Sequence, residues 1–263
     1  NLQSHLDSIP WEQIPSTFRW AIEFTRSMGI KYIWIDSLCI VQDDELDWAC
    51  ESAKMCDVYS WSYLTIATTS SPNCLSDLSK IGQGVVTVEV SGTSEVTQAP
   101  YRVFVSKFIK DHPDVESGSS QPEWPLLGRG WVLQERLLSS RVLHLSEPEL
   151  IWECREETSC ECGRIQSLGK PEHHQGIRSG STMDLITQWQ FVAEQYSTLK
   201  LSMASDLLPA LSGLATQMAR KKPKDAQYIA GLWSDSFVQD LTWRSSYMNC
   251  TPVLKQRVPS WSW

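Results

Sequence analysis

The spacing of hydrophobic and polar positions predicts a helix and then a strand near the start of the chain. Apolar or small side chains recur at helical spacing before a Met28-Gly29 stop, at positions Phe18, Ala21, Ile22 and Thr25. Residues 32–35 are all β-branched or aromatic, a composition typical of a buried parallel strand. Polar side chains begin at Asp36, where that strand is predicted to end.

A second helix and strand are predicted directly afterwards. Asp44 is placed to cap a helix whose apolar face consists of Trp48, Met55 and Tyr59, and residues 63–68 have the composition of a strand. The order helix, strand, helix, strand is the repeating unit of a parallel sheet. The sequence therefore predicts an α/β fold.

Between about residues 70 and 125 the pattern changes to that of an inserted β element. Segments 85–90 and 101–108 alternate like the two strands of a hairpin, with a connection rich in Ser, Thr and Gly. The α/β pattern then resumes with a helix and two short strands, at residues 130–138, 141–145 and 149–154.

The last third of the chain has a different organisation. Residues 156–181 lack an apolar period and are predicted to be a loop or linker. Three amphipathic stretches follow, at residues 185–196, 206–218 and 228–243, and predict a helical subdomain packed on the sheet. We therefore expect an α/β core over residues 1–155 and a helical subdomain over 182–263.

Composition and charge exclude several classes of protein. The chain has 263 residues, of which 41% are hydrophobic, enough for a substantial core. Its net charge of -8 argues against a nucleic-acid surface, which needs a concentrated basic face. No apolar run is long enough for a membrane helix, and no basic segment followed by an apolar one marks a signal peptide. We expect a cytoplasmic protein.

The eight cysteines do not have the regular spacing of a secreted disulfide scaffold, so reduced thiols are expected. Cys154, Cys160 and Cys162, with His173 and His174 further along, invite comparison with a zinc site. However, structural zinc sites favour paired ligands with two to four residues between them, and a Cys-x5-Cys-x-Cys array lacks that spacing. We therefore predict no metal site. His144 lies in an alternating apolar strand and is expected to be a hydrogen-bonded core or surface histidine.

Several sequence blocks, in the same order as in a known family, support a resemblance that spans almost the whole chain. The blocks are residues 32–44, Asp47-Trp48 with Glu51 and Met55, Tyr59, residues 64–67, 129–139, 141–144, 152–154 and 259–263. Together they resemble the fungal heterokaryon-incompatibility (HET) domain. Such domains usually open with a strand carrying a Ser-Tyr-(Val/Thr)-Trp-Gly type motif, and nothing upstream of Ile14 matches it. Any ligand group on that strand is therefore expected to be absent.

The resemblance implies a fold and an activity. HET domains are implicated in cell death after fusion of genetically different fungal cells, and they resemble the TIR fold, a flavodoxin-like α/β domain. Some TIR domains cleave NAD with a glutamate in a Trp-Cys-x-x-Glu pattern, which residues 131–135 resemble by placing Glu135 four residues after Trp131. The resemblance thus implies that Glu135 is the catalytic carboxylate and that NAD is a substrate, with no cofactor.

Helix geometry also distinguishes Glu135. On a helix it lies beside Trp131 at i−4 and Leu138 at i+3, so its carboxyl group leaves the backbone on a partly apolar face. Desolvation there would raise its pKa, as expected for a group that holds a ribose hydroxyl or steadies an oxocarbenium-like transition state. The alternative is a structural acid paired with Arg129 or Arg141.

The loop that follows residues 32–35 supplies candidate substrate-binding groups, because α/β proteins bind ligands at the carboxyl ends of strands. With Arg129 and Trp131 as further candidates, they are Asp36, Ser37, Cys39, Gln42 and Asp43. Individual members have simpler explanations: Asp36 can serve as a loop hydrogen-bond acceptor, and Cys39 as a small buried hydrophobe.

Three functional hypotheses remain open at this level. The first is a cell-death effector that binds and hydrolyses a nicotinamide dinucleotide. The second is a non-catalytic module that signals by self-association, as TIR-like domains often do. The third is an enzyme on the same scaffold that acts on another small molecule, for example in secondary metabolism, which fold alone does not exclude.

Overall fold

The structure is a computed structural model, and it describes residues 2–83, 87–106, 124–165, 170–244, 259 and 261–262. Four helices precede the first strand: α1 (Leu2–Asp7), α2 (Ser16–Ser27), α3 (Asp36–Cys39) and α4 (Glu45–Trp61). The predicted cap of α4 is confirmed, because the Asp44 carboxylate accepts hydrogen bonds from the backbone N–H groups of Leu46 and Asp47. Among the described residues, no helix is both long and apolar enough to cross a membrane.

Eight strands form three sheets within the described part of the chain. They are β1 (Thr65–Ala67), β2 (Thr87–Thr93), β3 (Pro100–Ser106), β4 (Arg141–Leu145), β5 (Leu150–Cys154), β6 (Thr158–Cys160), β7 (Tyr228–Ile229) and β8 (Leu232–Trp233). The main sheet has the order β1-β4-β5-β6, in which only β1 and β4 are parallel. The α/β class is confirmed, but the sheet is mixed rather than parallel.

The strand predicted at residues 32–35 does not form. Residues 31–35 are outside the described strands, although Ile35 has an extended backbone. Tyr32 is 87% exposed, whereas the Trp34 ring packs edge-on against Tyr59 of α4 with 5.7 Å between centroids. Trp34 thus contacts a helix, and none of the described strands pairs with this segment through a hydrogen-bonded ladder.

The predicted hairpin is confirmed. Strands β2 and β3 pair antiparallel in a register that runs from Thr87 opposite Ser106 to Thr93 opposite Pro100. Residues 84–86 and 107–123, which belong to the same predicted insertion, lie outside the described residues.

The remaining helices are α5 (Gly130–Leu138), α6 (Lys170–Ser179), α7 (Thr182–Ser197), α8 (Pro209–Ala219) and α9 (Phe237–Asp240). Strand β6 and helix α6 fall in the predicted linker over residues 156–181. Helix α6 escaped the periodicity analysis because its buried positions are mostly polar, namely Lys170, His173 and His174 with Ile177. The helix predicted over 228–243 is instead the β7–β8 hairpin and α9, because Ala230 and Gly231 both have positive φ and reverse the chain.

One hydrophobic cluster holds α4, α5 and the C-terminal helices together. It includes Cys56 of α4, Leu133, Leu137 and Leu138 of α5, Trp189 and Val192 of α7, and Leu211 and Leu214 of α8. Gly213 of α8 is a point of close approach: a Cβ there would lie 2.7 Å from Gln134 Oε1. Helix α5 packs against both α4 and α8, and α4 and α8 also contact each other.

Candidate active site

The start of α5 is held by a neighbouring chain segment. The Gly130 N–H donates to the Lys200 carbonyl at 2.8 Å, and the Lys200 N–H donates to the Gly128 carbonyl at 2.8 Å. The approach is close at Gly130, where a Cβ would lie 2.6 Å from Leu201 Cδ2 and would force the Leu201 side chain to shift. This anchor sets the position of Trp131 in the first turn of α5 and of Glu135 one turn later.

Glu135 has an unusual acid–base environment. The residue is partly buried, and its carboxyl group is surrounded closely enough by protein atoms that desolvation raises its pKa from 4.5 to about 7. The negative charge of Asp36 also raises this pKa, whereas Arg129 and a hydrogen bond from Tyr59 lower it. The sequence-based expectation of an elevated pKa is therefore supported by the contacts.

Tyr59 couples to the same group. Burial raises the pKa of the Tyr59 phenol well above its ordinary value, and the carboxyl groups of Glu135 and Asp36 raise it further. The phenol therefore stays protonated at neutral pH and donates its hydrogen bond to Glu135. Tyr59 comes from α4, Asp36 from α3, and Arg129 from the residue before α5, so three separate elements converge on one carboxyl group.

Aromatic side chains flank this group of residues. The Trp131 indole N–H donates to Asp206 Oδ2 at 2.9 Å, which orients the ring, and Trp48 meets that ring edge-on at 6.3 Å. Trp34 contacts the Tyr59 ring edge-on. Sequence reasoning did not name Tyr59 and Trp48 as site residues; it placed both on a predicted helix face and among the blocks that resemble HET domains. It had no signal for Asp206, which is 75 positions from Trp131.

The other predicted substrate-binding residues have a different placement. Ser37, Cys39, Gln42 and Asp43 are all exposed on the loop that contains α3. Cys39 is therefore not the small buried hydrophobe considered as an alternative for it. The Gln42 amide donates to the Ile40 carbonyl at 3.0 Å, and so supports the loop backbone. Of the predicted set, Asp36 and Arg129 lie near enough to Glu135 for their charges to shift its pKa, and Trp131 lies on the same helix.

A family model for the heterokaryon incompatibility protein (HET) matches residues 1–135, about half of the chain. The chain belongs to the HET family. Comparison with curated proteins and with solved structures gave no match. The matched region includes Glu135 and the three residues that shift its pKa, Asp36, Tyr59 and Arg129.

A second polar group of this HET protein is buried on the sheet side of α5. His144 contacts Thr69 Oγ1 at 2.9 Å through Nδ1 and Glu153 Oε2 at 3.2 Å through Nε2, so the prediction of a hydrogen-bonded core histidine is confirmed. Arg136 Nε lies 3.2 Å from the same Glu153 oxygen. Desolvation lowers the pKa of His144. The neutral ring therefore has a structural role between two strands.

The two histidines considered with the cysteines as zinc ligands have other partners in the structure. His173 lies between Gln188 and Gln217, at 3.0 and 3.2 Å, and His174 lies 3.0 Å from the Leu137 carbonyl. Burial lowers their pKa values to about 4 and about 3. Both rings are therefore neutral and already hydrogen-bonded in the core.

Proposed function

We propose that this HET protein is a cell-death effector of the heterokaryon-incompatibility type that binds a nicotinamide dinucleotide and hydrolyses its glycosidic bond at a TIR-like site. The observation that carries the proposal is the Glu135 carboxyl group, with a pKa of about 7 beside Tyr59, Asp36 and Arg129. A carboxyl group that only pairs with a cation has a lowered pKa, and strongly perturbed pKa values cluster at functional sites.

Each neighbour of Glu135 has a defined role in this mechanism. The Glu135 carboxylate accepts a hydrogen bond from a ribose hydroxyl and stabilises the positive charge that develops on the sugar as nicotinamide leaves. Water then attacks the anomeric carbon and loses a proton to solvent, so that the products are nicotinamide and the ribosyl nucleotide. Tyr59 orients the carboxylate, and the exposed Arg129 offers a bidentate contact to the diphosphate.

Aromatic surface supports the same substrate class. Trp131 lies one turn before Glu135 on α5, and Trp48 packs edge-on against Trp131. The two rings offer faces on which a planar base can stack. The spacing of Trp131 and Glu135 on α5 corresponds to the TIR pattern, and the parallel pair of β1 and β4 is compatible with a TIR-like sheet. The TIR-like fold is thus part of the proposal.

The test is release of nicotinamide from NAD by the purified chain. Glu135→Gln keeps the size and the acceptor oxygen but removes the charge, and we expect it to lower turnover by about 10²–10⁴-fold. Glu194→Gln, an exposed glutamate on α7, is the matched control and should retain full activity. Full turnover by Glu135→Gln, or no nicotinamide release by the unsubstituted chain, would refute the mechanism.

One observation favours the second hypothesis, self-association. The β2–β3 register places Val88, Val90, Tyr101, Val103 and Val105 on one face of the hairpin, and all five side chains are 45–55% exposed. The other face is polar enough to hold an Arg102–Glu89 ion pair at 3.1 Å. An exposed apolar face of this kind is typical of an interaction surface.

Light scattering over a range of protein concentrations tests self-association. A mass that rises with concentration and returns to the monomer value in Val103→Lys supports assembly through this face. Ser91→Lys, which adds the same charge on the opposite face, is the control. A constant monomer mass excludes assembly by the isolated chain.

A further inference from the structure

Two thiols and a buried carboxyl group meet at one edge of the main sheet. Glu149 precedes β5, Cys160 is the last residue of β6, and Cys162 follows in the turn. Their ligand atoms all lie within 4.8 Å of one another. The Cys160 and Cys162 sulfurs are 3.3 Å apart, and Cys162 Sγ lies 3.6 Å from Glu149 Oε1.

Strand pairing creates this arrangement. The antiparallel register of β5 and β6 sets Cys160 opposite Ile151, so the chain beyond β6 passes the residues just before β5. The Cys162 N–H donates to Glu149 Oε2 at 2.9 Å, and Gly163, with φ of +71°, turns the chain there. Residues 11 to 13 positions apart are thereby brought into contact by the backbone itself.

The carboxyl group is unusual for its depth. Glu149 has 0% relative exposure, while the two cysteines are partly buried. A carboxylate is costly to bury unless hydrogen bonds or a cation compensate its charge. Glu149 Oε2 accepts a hydrogen bond from the Cys162 N–H, and Oε1 lies 3.6 Å from Cys162 Sγ, so the carboxyl group faces the thiol pair.

We propose that Glu149 Oε1, Cys160 Sγ and Cys162 Sγ bind one thiophilic divalent cation. Zinc is the metal whose ligand preference fits two thiolates and one carboxylate. Water would be its fourth ligand. Both thiol protons pass to solvent when the metal binds, and no redox step is involved.

Ligand separations support this choice of metal. Tetrahedral zinc, with bonds of about 2.3 Å to sulfur and about 2.0 Å to oxygen, needs ligand atoms about 3.8 Å apart for sulfur–sulfur and about 3.5 Å apart for sulfur–oxygen. The observed sulfur–oxygen separation of 3.6 Å already matches. The sulfurs, at 3.3 Å, need to separate by only about half an ångström.

Backbone groups already orient the ligands. The Ile165 N–H points at Cys160 Sγ from 3.4 Å, a contact that stabilises a negatively charged sulfur, and the Cys162 N–H fixes the Glu149 carboxylate. Such outer contacts hold metal ligands in place in established sites. The sequence-based argument against zinc considered Cys154 and the two histidines as partners. It did not consider Glu149, whose proximity depends on the fold.

The experiment is zinc binding by the purified, reduced chain, with the metal content measured after equilibration against zinc and a competing chelator. We expect one equivalent of zinc, and cobalt in its place should give thiolate charge-transfer bands in the near ultraviolet. Cys160→Ser, Cys162→Ser and Glu149→Gln should each weaken binding by more than about 100-fold, since loss of an outer partner alone costs about 10–100-fold.

Cys74→Ser, at an exposed cysteine outside the cluster, is the control and should bind like the unsubstituted chain. Circular dichroism on each variant separates loss of a ligand from loss of the fold. A folded chain that binds no zinc would overturn the proposal. So would binding that survives in all three site variants, or cobalt spectra without thiolate bands. Nicotinamide release by Glu135 is a separate readout that none of these outcomes decides.

Discussion

At the scale of single residues, the Glu135 carboxyl group and the Glu153 carboxyl group show how environment separates two acids of the same type. Burial opposes the charged form of both. For Glu135 the nearby Asp36 adds to that effect, so the pKa rises to about 7. For Glu153, Arg136 and His144 outweigh burial, and the pKa is lowered. The first carboxyl group can exchange a proton near neutral pH, whereas the second is a permanent structural anion.

The elevated pKa of Glu135 predicts a pH-dependent stability difference. Between pH 4.5 and about 7 the folded chain holds this proton more tightly than the unfolded chain does. The contribution of Glu135 to the free energy of unfolding is therefore full below pH 4.5 and lost as the pH rises through 7. Glu135→Gln should gain stability over the unsubstituted chain as the pH rises, by at most about 3 kcal/mol and less where water screens the charge.

Urea unfolding at pH 5 and pH 8 measures this difference. Glu194→Gln, at an exposed position on α7, should show no such trend. A stability difference between Glu135→Gln and the unsubstituted chain that stays constant over this range would contradict the elevated pKa.

The lowered pKa of Glu153 predicts a large loss on substitution. Glu153→Gln leaves the buried Arg136 and Lys170 without their anion, and we expect unfolding to cost about 3–5 kcal/mol less. Glu156→Gln breaks an exposed pair with Arg178 at 3.5 Å and should change stability by less than about 0.5 kcal/mol. Equal effects in denaturant titrations of the two variants would show that the buried network is not structural.

At the scale of elements, α4 connects the candidate active site to the core. Its first turn is capped by Asp44, its middle contributes Cys56 to the main hydrophobic cluster, and Tyr59 near its end reaches Glu135. Asp47, in this first turn, accepts a hydrogen bond from the Val41 N–H at 2.7 Å. Fraying of the turn would therefore release the loop that carries Asp36.

Removal of the cap tests this connection. Asp44→Ala should lower the free energy of unfolding by about 1 kcal/mol, because two backbone N–H groups lose their acceptor. Asp43→Ala, one position earlier and also exposed, should leave stability unchanged. Thermal unfolding of the two variants makes the comparison, and a loss in Asp43→Ala as large as in Asp44→Ala would count against the cap.

At the scale of the whole molecule, one hydrophobic cluster spans the boundary that the sequence suggested between an α/β core and a helical subdomain. Cys56 and Leu137 share it with Trp189 and Trp233, which come from beyond residue 181. The Trp189 indole N–H also donates to the Gly231 carbonyl at 2.8 Å inside this cluster. Each part therefore buries apolar surface against the other.

The shared core predicts a single cooperative unfolding transition. Far-ultraviolet circular dichroism, which follows the helices, and tryptophan fluorescence should give the same midpoint in a denaturant titration. Two separated transitions would show instead that the helical part folds independently of the sheet.

Local chemistry determined much of this protein from sequence alone. The Asp44 cap, the β2–β3 alternation and the position of Glu135 one turn after Trp131 depend on neighbours within a few residues, so spacing was enough to predict them. The segment 32–35 shows the limit of that approach. Its composition indicated a strand, but a strand also needs a partner, and pairing is a property of the fold.

Only the tertiary structure decided the contacts between distant residues. Asp36 and Tyr59 reach Glu135 from separate helices, and Glu149 meets Cys160 and Cys162 through strand pairing. The buried polar positions of α6 gave no apolar period to detect. The interaction energy of such buried polar groups depends on their desolvation and on charges a few ångströms away. Which groups come that close is decided by how the elements pack, and spacing along the chain does not reveal it.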